Sequence, residues 1–266
     1  MSKVKFIEDT HQYLTEDGNE LISVSAFTEK FKPKVDWKAV AKKVAAKKSK
    51  QGEPTTTEDI LNKWEQKRDL SARIGTIFHS IKEEELLQLA NPIFYNIPCS
   101  TKVCSYSGTD KWSIPINKLE NNTVYPELMI YDFEHMICGQ SDKVIVANNK
   151  IHIWDYKTDA EIKFKAFSSQ WVKPQKLLGP LAHLDDCNAN IYSIKMSLYM
   201  YLLWKANRGT LRTGDIIIEH VHLERDEDGI PILKDAKPIV KKVEQINLPY
   251  RKKEVMDMLE TLKVKV

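Results

Sequence analysis

Apolar and polar residues alternate over two neighbouring segments in the middle of the chain. Met136–Val146 and Lys150–Tyr156 both follow this period of two and are rich in Val, Ile and Trp, which favours β-strand. Asn148 and Asn149 lie between the segments, and Asn tolerates the positive φ angles that two-residue hairpin turns require. The pattern therefore predicts two antiparallel strands joined by a tight turn.

The register of this predicted hairpin brings two carboxylates together. Closing the turn with the pair Ala147–Lys150 sets the alignment of both strands. In that alignment Asp142 lies directly opposite Asp155, and Lys157 follows on the same face. Two close carboxylates repel each other unless one binds a proton or a cation lies between them. All-oxygen ligation suits Mg²⁺ or Mn²⁺; an ordinary Asp–Lys ion pair on a hairpin surface is the alternative.

The same two periodicities predict the other elements. Apolar residues at helical spacing predict helices over Trp37–Lys50, Glu58–Leu70 behind an N-cap at Thr57, a segment beginning at Asp69 or Ser71, Ile191–Ala206 and Arg251–Val264. Alternation predicts a hairpin of Lys5–Leu14 with Glu20–Phe27, and two late strands, Asp215–Leu223 and Ile239–Leu248. Residues 91–123 show neither period and are rich in turn residues, which indicates an insertion.

A polar stripe runs along the helix that begins near Ser71. Gly75, His79 and Glu83 recur every four residues, so they lie on one side of that helix, beside the apolar stripe. A single His on a half-apolar helix is most often structural. His79 becomes a candidate metal ligand only if further ligands lie near it in the fold.

Composition narrows the class of protein. The chain has 266 residues, 42% apolar residues and a net charge of only +3, so any basic surface for nucleic acid must be local. No apolar run is long enough to span a membrane and the start lacks a signal-peptide core, so we expect a cytoplasmic protein without membrane contact. Cys99, Cys104, Cys138 and Cys187 form no C-x-x-C pair, which favours free thiols over a zinc knuckle.

Several motifs, in order along the chain, resemble the core of the PD-(D/E)XK nuclease superfamily. They are Glu127, then Gly139-x-x-Asp142, then Asp155-Tyr156-Lys157-Thr158. Upstream, Gly75-x-x-x-His79-x-x-x-Glu83 resembles the helical motif of the RecB-like exonuclease branch, and the N-terminal hairpin is similar to the opening of phage-type members.

This resemblance implies a metal centre and a catalytic lysine. The implied ligands of Mg²⁺ or Mn²⁺ are Asp142, Asp155, a nitrogen of His79 and the carbonyl of Tyr156. Lys157 would be catalytic, Glu127 would take part in catalysis or support the metal, and Glu83 would orient His79. No iron–sulfur cluster is expected, because the late cysteines that hold it in some relatives have no counterpart after Cys187.

DNA contacts are expected from two helices. In the RecB-like branch a Q-x-x-x-Y motif contacts DNA; Tyr199 matches the Tyr, whereas Lys195 stands at the Gln position. We expect Lys195 either to contact a phosphate or merely to solvate its helix, and Tyr199 either to stack on a base or to pack beneath a strand. Lys42, Lys43 and Lys47 on the first basic helix either neutralise phosphates or form a solvated face.

The resemblance completes the expected architecture and function. It implies an α/β, restriction-endonuclease-like core, a mixed β-sheet flanked by helices, over residues 71–266 with an insertion at about 91–123, behind a hairpin and basic helical addition over residues 1–70. The implied activity is Mg²⁺-dependent hydrolysis of DNA by an exonuclease of recombination, repair or replication, in the host cytoplasm if a phage encodes the chain. A structure- or site-specific endonuclease and a non-catalytic DNA-binding module are the alternatives.

Overall fold

A mixed, largely antiparallel sheet runs through the molecule, with helices on its faces. The computed structural model describes residues 3–8, 10–94, 97, 102–104, 112–168 and 173–263. The strands are β1 (Val4–Ile7), β2 (Gln12–Thr15), β3 (Glu20–Ser23), β4 (Lys102–Val103), β5 (Thr123–Asp132), β6 (Ile137–Ala147), β7 (Lys150–Lys157), β8 (Arg212–Leu223), β9 (Leu233–Lys234), β10 (Lys237–Pro238) and β11 (Val240–Leu248). The helices are α1 (Val24–Glu29), α2 (Trp37–Lys50), α3 (Thr57–Leu87), α4 (Asn188–Ala206) and α5 (Lys252–Lys263).

The sheet forks at β6. β5 pairs with one edge of β6 from Ile137 to Val146, so any other strand that pairs with β6 must use its second edge. On that second edge β3 pairs in parallel at Ile137 and Cys138, and β7 pairs antiparallel from Lys143 onward. Residues 139–142 of β6 therefore face no strand of the described chain on this edge, and β7 continues away from the fork alongside β8.

The central hairpin that the alternation predicts is confirmed. Ala147 pairs with Lys150, and the ladder runs back to the pair Lys143–Trp154. It ends there, so the predicted pairing of Asp142 with Asp155 is not part of the ladder. Asn148 and Asn149 form the turn with φ angles of 51° and 57°, the left-handed conformation that such turns need. The strands predicted over Asp215–Leu223 and Ile239–Leu248 and the helix predicted over Ile191–Ala206 also form, with slightly different ends.

The prediction of two helices before and after residue 70 is wrong. α3 is one helix of 31 residues that passes through this point without interruption, so no break in secondary structure marks the boundary expected there. It begins behind Thr56 rather than Thr57, because Thr56 and Asp59 exchange the two hydrogen bonds of a capping box. Polar residues around position 70 indicate that this part of the helix is exposed. They do not end the helix, because α3 contains no proline.

The N-terminal hairpin also differs from the expected one. Lys5–Leu14 is not one strand, because the chain turns at His11, which has a φ of 55°, and the two halves pair as β1 and β2. The strand predicted over Glu20–Phe27 ends at Ser23. The Ser23 hydroxyl accepts a hydrogen bond from the Ala26 N–H and so caps α1.

The two faces of the sheet are covered by different helices. α4 is buried on one face, in the largest core cluster, which contains Ile153 and Ile216. α3 covers the other face at the end of β8, where Ile74 and Phe78 pack against Val221. Part of the expected insertion belongs to the core as well, since Ile116 and Leu119 of the described residues 112–122 lie in the main cluster. None of the helices described is long and apolar enough to cross a bilayer.

The sheet and α4 approach each other closely at Gly139. A Cβ atom at this position would lie 2.7 Å from the Tyr199 hydroxyl oxygen and 3.0 Å from a methyl carbon of Val24. At Gly75 of α3 the nearest atom to a Cβ, the Thr158 hydroxyl oxygen, would be 3.7 Å away, an ordinary contact.

We therefore predict opposite effects for two Gly→Ala substitutions. Gly139→Ala should lower the free energy of unfolding by about 1–3 kcal/mol, because it overpacks the contact with Tyr199. Gly75→Ala should leave stability unchanged or raise it by up to about 1 kcal/mol, since Ala is a better helix former than Gly. Urea unfolding of both variants measures the difference; equal stability of the two would contradict the close packing at Gly139.

Candidate active site

The candidate site lies in the fork of the sheet and opens into a cleft of about 950 Å³. α3 forms one wall through Gly75, His79 and Glu83, and β6 contributes Gln140. The far wall is formed by the N-terminal hairpin and the segment before β5, which present Phe6, His11 and Trp112. Glu127 and Lys157 line the same cleft, so they share one opening to solvent with Gly75, His79 and Glu83.

Asp142 is the centre of the hydrogen bonds in this fork. Its Oδ2 atom lies 3.2 Å from Nδ1 of His79 and accepts a hydrogen bond of 2.7 Å from the backbone N–H of Tyr156. β6 and β7 no longer pair at this position, so the Asp142 carboxylate takes the place of a β6 backbone carbonyl as the acceptor for the Tyr156 N–H. Asp142 therefore joins β6, β7 and α3 at the point where β7 leaves β6.

Glu127 is aimed at the same point by an irregularity in β5. Pro126 pairs with Lys143 and Leu128 with Ser141, whereas Glu127, between them, has a φ of 46°. A left-handed backbone at a residue other than Gly costs roughly 1–3 kcal/mol and often marks a functional site. One ligand atom each of His79, Glu127 and Asp142 lies within 4.8 Å of the others, close enough for one cation to contact all three.

Asp155 and the Tyr156 carbonyl lie beside this cluster and bind Lys157. The Lys157 ammonium forms an ion pair with Asp155 Oδ2 and donates to the Tyr156 carbonyl oxygen at 3.1 Å. It also lies 5.0 Å from the centre of the Tyr192 ring. The structure thus brings together His79, Glu127 and Asp142. Asp155 and the Tyr156 carbonyl, which the resemblance also implied as ligands, are not part of this group and contact Lys157 instead.

The electrostatics of the site reflect several carboxylates in a buried place. Burial, followed by the charge of Asp142, raises the pKa of Glu127 to about 8 and that of Asp155 to about 6. Burial opposes ionisation of Asp142 too, but the hydrogen bond and charge of His79 outweigh it and lower the pKa of Asp142. Burial likewise disfavours the charged imidazole, yet Asp142 raises the pKa of His79 overall.

This donor set fits a hard divalent cation. One imidazole and two carboxylates converge, a third carboxylate lies next to them, and two of the three carboxyl groups resist ionisation where they stand. Mg²⁺ and Mn²⁺ take carboxylate oxygens and tolerate an imidazole. A cation at this point would offset the repulsion that raises both pKa values.

The residues expected to contact DNA have different surroundings. Lys195 is half-buried, donates to the Ser25 hydroxyl at 3.1 Å, and has a lowered pKa because of its burial and then the charge of Lys157. Tyr199 is only 8% exposed and packs under Gly139, which matches packing beneath a strand and leaves no ring face for a base. Glu83 is half-buried, and burial raises its pKa.

The basic helix α2 is far from the carboxylates. Lys42, Lys43 and Lys47 are exposed, while Ala41 and Ala45 pack α2 against Ile60 of α3. Ile60 and His79 lie on the same helix, roughly 28 Å apart at a rise of about 1.5 Å per residue. The three lysines can therefore contact a ligand of the cleft only if that ligand extends well beyond it.

A buried ion pair next to the site was not foreseen from the sequence. Lys143 is only 3% exposed, lies 2.6 Å from Glu219 on β8, and faces the rings of Trp154 and Tyr156 at 5.0 and 4.6 Å. The pair connects β6 to β8 across β7 on the face opposite Asp155. A lysine within a strand of buried residues was the available signal, but its acidic partner lies 76 positions away.

No model of a known protein family matches this sequence, and no curated protein is similar to it. Function must therefore be inferred from the geometry and chemistry of the fork itself.

The metal-free protein should lose stability as the pH rises from about 5 to about 8. Asp155 and Glu127 ionise near 3.8 and 4.5 in the unfolded chain and at higher pH in the fold, so unfolding releases protons throughout this window. The raised pKa of His79 acts in the same direction, because the stability from its charged form is lost as the pH rises. Urea unfolding at each pH, in EDTA, measures the slope.

Millimolar Mg²⁺ should stabilise the protein more at pH 8 than at pH 5, since protons compete with the cation for the same carboxylates. The matched control is the double variant Glu127→Gln/Asp155→Asn, whose stability should vary less with pH and respond less to Mg²⁺. A variant with the slope of the wild type would contradict the pKa shifts assigned to the two carboxyl groups.

Proposed function

We propose that this chain is a Mg²⁺- or Mn²⁺-dependent nuclease that hydrolyses phosphodiester bonds of DNA in the forked cleft. The observation that carries the proposal is the convergence of His79, Glu127 and Asp142 within 4.8 Å, beside the ion pair of Asp155 and Lys157. Three ligands, a further carboxylate and a lysine are the parts that metal-assisted phosphoryl hydrolysis needs. The motifs that resemble PD-(D/E)XK nucleases point to the same chemistry.

His79, Asp142 and Glu127 would hold the cation, and Asp155 beside them would keep Lys157 in position. A bound Mg²⁺ would polarise the scissile phosphate and lower the pKa of a water molecule. His79 keeps its ligand nitrogen in place through its contact with Asp142, and the Tyr156 N–H fixes the Asp142 carboxylate in turn. The chain therefore orients its ligands before any cation binds.

Lys157 would stabilise the charge that develops on the phosphate. Its ammonium lines the cleft next to the ligand cluster, and Asp155 and the Tyr156 carbonyl hold it there. The negative charge of Asp155 and then of Asp142 overcomes burial and raises the pKa of Lys157, so the side chain stays positively charged at neutral pH. A charged donor fixed in a partly buried cleft is well suited to stabilise a transition state of greater negative charge.

The DNA would run from the fork toward two basic groups at different distances. Lys195 lies near Lys157, whose charge lowers its pKa, and would contact a phosphate close to the cleavage point. Lys42, Lys43 and Lys47 would hold a duplex or strand further away, since α2 packs on Ile60, which lies roughly 28 Å along α3 from His79, about eight base pairs at 3.4 Å per step. The expectation of an exonuclease comes from the family resemblance. Comparing cleavage of linear and circular DNA distinguishes an exonuclease from an endonuclease.

Cleavage of linear, nicked and circular DNA, with Mg²⁺ or Mn²⁺ and with EDTA, tests the activity. We expect metal-dependent hydrolysis of linear DNA to short products from its ends and no attack on closed circles. Attack on circles would assign an endonuclease of the same site. Metal-dependent DNA binding without hydrolysis of any of these substrates would assign a binding module instead.

Lys157→Gln should lower the hydrolysis rate by at least about 10²-fold, because it removes the charged donor that faces the reacting phosphate. Gln keeps most of the side-chain volume, and DNA affinity should change by only a few-fold. The control is Lys205→Gln, which removes an equally ion-paired lysine that binds Asp132 and Glu134 instead. If Lys157→Gln turns over substrate at the wild-type rate, Lys157 has no part in the mechanism. A cooperative urea unfolding curve verifies that the variant is folded.

Lys195→Ala should weaken DNA binding about equally on all sequences. Loss of one phosphate contact should reduce the slope of log affinity against log salt by about 0.7–0.9. Lys205→Ala on the same helix is the matched control and should leave the slope unchanged. Binding curves are measured in Ca²⁺ to prevent turnover. If the curves of Lys195→Ala and wild type superimpose, Lys195 does not contact DNA and has only its hydrogen bond to Ser25.

A further inference from the structure

A second group of metal-binding side chains lies on the outer part of the sheet. His220 and His222 are two residues apart on β8 and so point to the same face. β11 pairs with β8 in a register that places Glu244 opposite His220 and Lys242 opposite His222. Two imidazoles and one carboxylate thus lie side by side on two neighbouring strands.

The distances within this group suit a shared cation. One ligand atom each of His220, His222 and Glu244 lies within 4.8 Å of the others. The two imidazole rings are 4.1 Å apart between centroids, and His222 Nε2 is 3.2 Å from Glu244 Oε2. Ligands that share a tetrahedral Zn²⁺ at about 2.0–2.1 Å are roughly 3.4 Å apart, so only small side-chain movements are needed.

His220 is oriented as metal-binding histidines usually are. It is 3% exposed, and its Nε2 lies 2.9 Å from the backbone carbonyl oxygen of Asp159. A carbonyl only accepts, so Nε2 carries the proton and Nδ1 is left with the lone pair that a metal needs. The ring is therefore held in one tautomer by a contact outside the group.

One competitor for the carboxylate is present. Lys242 Nζ lies 3.3 Å from the same oxygen of Glu244 that faces His222. The Lys242 side chain is 61% exposed, so it can turn into solvent at little cost when a cation arrives. The third cluster of this kind in the described chain, Asp132, Glu134 and His135, differs because Lys205 contacts both of its carboxylates.

We propose that His220, His222 and Glu244 form a binding site for a transition-metal ion of the Zn²⁺ class. Two imidazoles with a single carboxylate favour Zn²⁺, Co²⁺, Ni²⁺ or Cu²⁺ over Mg²⁺, which prefers oxygen ligands. Three protein ligands leave a fourth position for water or a small anion. His220 is the register partner of Lys157 across β7 and β8, so the site lies one strand further out than the ion pair of Asp155 and Lys157.

Calorimetric titration of the full chain with Zn²⁺, in excess Mg²⁺, tests this site without any activity measurement. His222→Ala should bind one equivalent fewer than wild type, Glu244→Gln should bind that equivalent more weakly, and Lys242→Ala should bind it more tightly. His222 is partly exposed, so its variant should fold; equal melting temperatures in EDTA verify this.

His183→Ala is the matched control, because His183 also pairs with a carboxylate, Glu254 at 3.3 Å, but belongs to no group of three potential ligands among the described residues. It should keep the full stoichiometry. The same comparison in a His79→Ala background excludes Zn²⁺ in the forked cleft, and the loss caused by His222→Ala should persist there. Equal stoichiometry and affinity for His222→Ala and wild type would overturn the proposal, whether or not the chain is a nuclease.

Discussion

The separation of β3 and β7 along one edge of β6 is the constraint on which the candidate site depends. A strand edge can pair with only one neighbour at each position, and β5 already occupies the other edge. Because β3 uses the start of the free edge and β7 its end, residues 139–142 lie open between them. The backbone groups of an opened sheet need other partners, and Asp142 provides one by accepting from the Tyr156 N–H.

Helices pack closely on both faces of the sheet beside this gap. On one face α4 approaches so closely that Tyr199 leaves room only for Gly139. On the other face α3 packs through Ile74 and Phe78, and His79, the residue after Phe78, contacts Asp142. The buried pair of Lys143 and Glu219 joins β6 to β8 across β7, on the sheet face that α3 covers. A buried pair of this kind contributes little net stability, but breaking it is costly, so it favours one arrangement of the strands.

The fork brings several carboxyl groups together in a buried place, where ionising all of them without a cation is unfavourable. Glu127 sits in a strained backbone conformation, and burial together with Asp142 holds its pKa, and that of Asp155, well above the ordinary values. Natural proteins keep such costs mainly where function requires them. A divalent cation would offset the repulsion between the carboxylates. Its positive charge would also be available to bind a phosphate. The His220 group differs in this respect, since two of its three potential ligands are imidazoles and it lies outside the fork.

The sequence by itself determined the local structure around the site. Alternation and the Asn148–Asn149 turn were enough to predict β6, β7 and their register as far as the pair Lys143–Trp154, since both depend on residues close together in the chain. They did not show that the strands separate before Asp142 and Asp155 can pair. Helical spacing placed His79 on the cleft side of α3, although it did not show that α3 continues through residue 70. These features follow from short-range sterics and from the side-chain periods of helices and strands.

Only the tertiary structure decided which of those groups meet. The strain at Glu127, the contact of His79 with Asp142, and the ion pair of Asp155 with Lys157 all depend on where β3, β5 and α3 meet β6. The burial of Tyr199, the partner of Lys143 and the pairing of Glu244 with His220 are likewise contacts between distant segments. Local patterns cannot specify such contacts, because they arise from the packing of whole elements against one another.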